Sequence, residues 1–133
     1  MATILIAEDK ADLRDLVKIQ LQKHGFSCVE VSDGFAVLPA MIEHTIDLVL
    51  MDINMPKMDG WEATTAIRTH GQYQNTPIIA LTAYSLAGDR ARAKAAGCNA
   101  FHCKPIEFDK LLTEIQLLLQ QRCEKSSQPM DSE

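Results

Sequence analysis

The residues best suited to chemistry stand directly after short apolar runs. The carboxylate pair Glu8-Asp9 follows residues 3–7, Asp52 follows residues 48–51, Thr82 follows residues 78–81, and Lys104-Pro105 comes shortly after Ala100-Phe101. Singly, each invites a plain reading, because a polar residue after a strand is commonly a loop or cap residue, and Asp9 is placed to cap a following helix. Jointly, three acids, a hydroxyl and a cation at four such positions point to one site. Two carboxylates at ~4 Å in a partly dry pocket repel by roughly 4 kcal/mol at an effective dielectric near 20, so they require protonation or a cation. A hard divalent ion meets that need. Magnesium takes a few carboxylate and carbonyl oxygens, keeps waters and leaves room for phosphate oxygens. Its direct ligands would be Asp9, Asp52 and the backbone carbonyl of Asn54, with Glu8 acting through water or from behind the direct ligands. Lys104 would offset the acids at rest and then bind a phosphoryl oxygen, and the Thr82 hydroxyl would donate to another.

Such convergence needs elements that bring the runs side by side. Runs over residues 3–7, 26–31, 48–51, 78–81 and 100–101 are uninterrupted and apolar, as in parallel strands covered on both faces. Helical periodicity fills the gaps. Leu13, Leu16, Val17 and Leu21 share one face, and Gly25 follows as a left-handed stop. Further helices are expected over residues 61–69, 86–96 and 108–119. The stretch 34–44 is weaker because Pro39 must kink that helix or delay its start. Five β-α repeats predict an α/β/α sandwich with right-handed crossovers. In such a sheet, ligands bind beyond the carboxyl ends of the strands, where the chosen residues fall.

Composition narrows the classes of function. With 133 residues, one domain with one core is expected. Eighteen acidic residues against 13 basic, a formal charge of -5, argue against a sequence-independent nucleic-acid surface. No apolar run approaches the ~20 residues of a membrane-spanning helix. Cys28, Cys98, Cys103 and Cys123 contain no C-x-x-C pair, which leads us to expect reduced thiols and a cytoplasmic location. The four histidines lack metal-like spacing and receive no role.

Taken in order, the acidic pair Glu8-Asp9, the stretch from Met51-Asp52-Ile53-Asn54 to Met58-Asp59-Gly60, the segment Ala80-Leu81-Thr82-Ala83, and Lys104-Pro105 make the chain resemble the receiver domain of two-component response regulators, of the chemotaxis-regulator type. The resemblance covers about residues 4–119. It implies a flavodoxin-like, three-layer fold with five parallel strands in the order 2-1-3-4-5, a receiver over residues 1–121 and a disordered tail over 122–133. It further implies that Asp52 takes a phosphoryl group from a phosphohistidine of a sensor histidine kinase or a histidine phosphotransfer protein. The metal would be magnesium, with manganese as a substitute, and Lys104-Pro105 would be cis. Thr82 and Phe101 occupy the switch positions, so that phosphorylation would draw Thr82 inward and turn Phe101 behind it. Tyr84 would shield the aspartyl phosphate from water.

Rival readings are separable. A phosphatase of the haloacid dehalogenase type needs a second aspartate two residues after the nucleophile, where this chain has Asn54. A binding-only receiver usually lacks a site residue, and here all are present. The start at Met1 and the polar tail lead us to expect a complete single-domain regulator rather than a piece of a hybrid kinase. It would be a monomer or a phosphorylation-dependent dimer, act through protein contact, and not be a turnover enzyme.

Overall fold

A computed structural model of the chain describes residues 2–55, 57–83 and 87–127, except the side chains of 87–89 and 122–127. Among these residues, strands β1 (Thr3–Ala7), β2 (Ser27–Val31), β3 (Leu48–Asp52), β4 (Ile78–Thr82) and β5 (Ala100–Cys103) alternate with helices α1 (Ala11–Lys23), α2 (Val37–Glu43), α3 (Gly60–Thr69), α4 (Ala87–Ala96) and α5 (Phe108–Ser127). The strands pair in parallel in the order β2-β1-β3-β4-β5. The expected architecture and strand order are therefore present. The order reverses between β1 and β3, which opens a crevice at their carboxyl ends.

Alternation along the strands divides the core into two halves, as a pleated strand requires. Ile4, Ile6, Leu48, Leu50, Ile79 and Leu81 meet Val17 and Leu21 of α1 and Leu111 and Ile115 of α5. Leu5, Val49, Met51, Ile78 and Ala80 face the other way, against α2, α3 and Ala93 of α4. β3 and β4 are buried along their whole length, while the edge strands β2 and β5 are only half-buried. This is why the sequence shows continuous apolar runs at the centre of the sheet.

Helix ends follow local chemistry. Gly25, at φ 90°, closes α1: its N–H donates to Gln22 O at 3.1 Å, and the Phe26 N–H to Leu21 O at 3.2 Å. At α3, Asp59 accepts from the Glu62 N–H at 2.9 Å while Glu62 accepts from the Asp59 N–H at 3.3 Å. Pro39 delays rather than kinks its helix: a 3₁₀ turn over Gly34–Ala36 precedes α2, and Pro39 falls in the first α-helical turn, where its missing N–H costs nothing. α5 corrects one boundary. Expected to end at residue 119 and give way to a tail at 122, it continues to Ser127, since no glycine or proline interrupts it before Pro129. At the edge of the sheet opposite the crevice, Arg68 donates to Gly97 O at 2.9 Å, Tyr73 O at 2.8 Å and Asn99 Oδ1 at 2.9 Å, and Asn99 Oδ1 also accepts from the Ile78 N–H.

Gly60 marks where the β3–α3 loop folds back on the crevice. Its N–H donates to Ile53 O at 2.9 Å, and a Cβ there would lie 2.7 Å from the Asp52 carbonyl oxygen and from Ile53 Cα. Backbone, not a flexible side chain, would have to move. Gly60→Ala is expected to lower stability in urea unfolding by about 1–3 kcal/mol. Gly71→Ala, with open space around the added Cβ, is expected to stay within about 0.5 kcal/mol of the parent.

Candidate functional site

The carboxyl ends of β1, β3, β4 and β5 deliver Glu8, Asp52, Thr82 and Lys104 to one crevice, as their order along the sheet demands. Glu8, Asp52 and Thr82 are 2%, 1% and 2% exposed, an unusual depth for two carboxylates. Lys104 Nζ lies 3.1 Å from Glu8 Oε1 and 3.3 Å from Asp52 Oδ1. Backbone groups complete the shell. The Asn54 N–H donates to Asp52 Oδ1 and the Lys10 N–H to Glu8 Oε2, each at 3.2 Å, and Arg14 donates to the Glu8 carbonyl at 2.7 Å. Hydrogen bonds between strand ends fix the floor: the Ile53 N–H donates to Leu81 O at 2.9 Å and the Lys104 N–H to Thr82 O at 2.7 Å. The Lys104-Pro105 peptide is cis.

Asp9 is exposed and does not cap α1, whose N-cap residue is Lys10 with no side-chain cap bond. The plain reading of Asp9 therefore fails. Instead, one carboxylate oxygen each from Glu8, Asp9 and Asp52 lie within 4.8 Å of one another. Three hard oxygen donors, two of them buried, fit a hard divalent cation. Burial pushes the Glu8 carboxyl up to about 7, helped by the hydrogen bond to Asp52 and by its charge, while the Lys10 N–H and Lys104 pull the other way. Burial alone would push the Lys104 ammonium down, but Asp52 and Glu8 beside it hold it above the ordinary lysine value. Near neutral pH the metal-free site thus still holds a proton on Glu8 in a large share of molecules, one that a cation would displace.

Of the remaining sequence-predicted residues, Phe101 is half-buried on β5, with the Arg90 guanidinium 5.2 Å from its ring centroid. Ala83 and Pro105 are exposed at the rim, and Asn54 is exposed beside Asp52. Tyr84 lies outside the described residues. Sequence reasoning missed the support beneath the β3–α3 loop. Gly34 packs so closely on the Met58 carbonyl that a Cβ would overlap it. Asp33 accepts from the Ala36 N–H at 3.0 Å and pairs with Lys57 Nζ at 3.6 Å, while Lys57 adopts φ 69°. The only local signal was Asp33-Gly34, a turn dipeptide.

The Glu8 proton has a measurable consequence. Between pH 4.5 and about 7 the folded, metal-free protein holds a proton that the unfolded chain has lost, so this group's contribution to stability falls as pH rises through that window. In the presence of a chelator, Glu8→Gln is expected to remove up to about 3 kcal/mol of that fall in denaturant midpoints measured across the window. An unchanged slope would mean that Glu8 titrates normally.

Comparison with known proteins agrees with this geometry. The family model for the response regulator receiver domain matches residues 4–116. The polar-differentiation response regulator DivK of Brucella anthropi is 30% identical over 117 residues, covering 88% of this chain and 95% of DivK. The CAI-1 autoinducer sensor kinase/phosphatase CqsS of Vibrio cholerae is 39% identical over 113 residues, or 84% of this chain and 16% of the kinase. Among solved structures, a chemotaxis response regulator of Vibrio cholerae superposes with a TM-score of 0.84 at 31% identity, covering 89% of this chain and 98% of the other. The receiver domain of a Pseudomonas aeruginosa sensor histidine kinase, with magnesium coordinated in its active-site cleft, gives 0.83 at 32% identity, covering 90% and 98%. The chain belongs to the response regulator receiver domain family of two-component systems.

Proposed function

We propose that the chain accepts a phosphoryl group on Asp52 from a phosphohistidine and passes the signal on by protein contact. The observation that carries this is a buried carboxylate held by the Asn54 N–H and Lys104, with Glu8 and Asp9 beside it. An Asp52 oxygen attacks phosphorus in line with the phosphohistidine nitrogen. The P–O bond forms as the P–N bond breaks, and the imidazole takes the electron pair. Lys104 exchanges its bond to Asp52 for one to the transferred phosphoryl oxygens, and Thr82 donates to another as their charge develops. Magnesium, held by Asp9, Asp52 and the Asn54 carbonyl with Glu8 assisting, would supply positive charge to the same oxygens, and manganese would serve in its place. The chain reacts once per phosphoryl group and is not a turnover enzyme.

An apolar groove of ≈ 390 Å³ begins at Lys104 and runs between α1 and the start of α5, walled by Leu13, Leu16, Val17, Pro105, Ile106 and Phe108. It suits the helix that presents a phosphohistidine on a sensor kinase or phosphotransfer protein. Phe101, held at the α4–β5 surface by Arg90, supports a readout in which phosphorylation moves Thr82 and Phe101 and changes what docks there. The match to both DivK, along nearly its full length, and CqsS, over a small part, supports two settings for this chemistry: a separate regulator and the receiver of a hybrid kinase. We favour the separate regulator, in the cytoplasm.

Incubation with acetyl phosphate is expected to add one phosphoryl mass that requires magnesium and is absent in Asp52→Asn; a folded parent that stays unmodified by small donors and by phosphorylated kinases would overturn the acceptor reading. Leu16 is 54% exposed, so Leu16→Glu leaves the core intact. This variant is expected to lower the ratio of transfer from a phosphohistidine protein to transfer from acetyl phosphate by about tenfold, the equivalent of one lost apolar anchor. An unchanged ratio would place donor docking elsewhere.

A further inference from the structure

α2 is apolar on both sides. Val37, Ala40 and Met41 are buried against the sheet, yet the opposite face, from the preceding 3₁₀ turn onward, carries Phe35, Leu38, Pro39 and Ile42. Phe35 and Ile42 are 57% and 63% exposed, more than any other large apolar residue described. A surface helix normally turns charge outward, as α1 does with Asp12 and Asp15 and α3 with Glu62. Within α2 itself Glu43 is the sole charged residue, and it lies at the end. An apolar stripe at spacing i, i+3, i+4 and i+7 is the pattern of a helix face that meets another helix.

The charges at the two ends of the stripe indicate what covers it. At the N-terminal end stands Lys57, 66% exposed and tied to Asp33 at 3.6 Å. At the C-terminal end stands Glu43, 78% exposed. A cation at one end and an anion at the other make the stripe complementary to its own copy when two helices run antiparallel. Phe35 of one copy then meets Ile42 of the other, and Lys57 meets Glu43 twice, once on each side of the two-fold axis.

We propose that the outward face of α2 is a self-association surface through which two copies of this chain pair antiparallel about a two-fold axis. Two helical turns bury far less than the roughly 800 Å² per partner of a stable interface, so the pairing is weak, with a dissociation constant on the order of 100 µM. The surface lies on the far side of the sheet from the α1–α5 groove, so pairing leaves that groove open. It adjoins the phosphoacceptor loop instead, because Gly34 packs on Met58 and Asp33 holds Lys57.

Sedimentation velocity of the full chain from about 10 µM to about 1 mM tests the proposal. The parent is expected to shift from monomer toward dimer. Phe35→Ser and Ile42→Lys, both at exposed positions and checked for folding by circular dichroism, are each expected to weaken association at least about tenfold. Glu43→Lys alone sets like charges opposite each other twice and is expected to weaken it about fivefold. The double variant Glu43→Lys with Lys57→Glu reverses both ends together and is expected to return within about twofold of the parent. A parent that stays monomeric throughout, or a dimer indifferent to Phe35 and Ile42, overturns the proposal. Dependence on the apolar pair without recovery in the double charge reversal overturns the antiparallel arrangement and points to a different orientation of the two copies.

Discussion

Placing carboxylates at the ends of adjacent parallel strands, out of water, is unfavourable unless positive charge or a proton comes with them. The chain meets this constraint with Lys104, which reaches Glu8 from 96 residues away and touches Asp52 as well. Much of the architecture serves that meeting. β1, β3 and β5 must end at the same level, so their registers through β4 cannot slip, and β4 supplies the buried Thr82 between acid and lysine. A shift of one residue would send Asp52 to the other face of the sheet and put Ile53 or Met51 in its place. The proton kept by Glu8 arises from the same crowding: one lysine does not neutralise the acids packed around it.

The site was legible in the sequence because one rule, that ligands gather beyond the carboxyl ends of parallel strands, converts a linear pattern into a location. Glu8, Asp9, Asp52, Thr82 and Lys104 each follow an apolar run whose type the sequence declares. Asp9 was the ambiguous member, since a helix follows it. Only the structure, by giving the N-cap position to Lys10, removes the structural explanation. The strand order came from the family resemblance, and the central strands were accessible because their runs are uniformly apolar.

What stayed hidden depends on contacts between distant residues. Gly34 against the Met58 carbonyl and Asp33 with Lys57 join the β2–α2 turn to the β3–α3 loop, and no local pattern announces such a pairing. The end of α5 was placed too early because its outer turns lose the apolar period without losing helix propensity, and propensity decided. At strand 5 the apolar run covers two residues while the strand spans four, since an edge strand exposes part of each side chain and admits His102 and Cys103. Pro39 was understood as a constraint, yet its resolution into a 3₁₀ turn followed by a short helix rests on how Gly34 docks, which is again tertiary.

Arg68 has a mechanical consequence. Its guanidinium grips Gly97 O at the end of α4 and, through Asn99, the beginning of β4, while a Cβ on Gly97 would strike the Arg68 side chain. α4 is thereby clamped at its C-terminal end, while among the described residues nearer its start Arg90 and Arg92 rest on the faces of Phe101 and Trp61. Ten residues of helix make a beam of about 15 Å. A beam fixed at one end does not slide when pushed at the other; it swings. Held at Gly97, a helix pushed from the crevice side is displaced most next to the crevice and least at Gly97, so Arg68 sets a pivot as far from the crevice as the length of α4 allows.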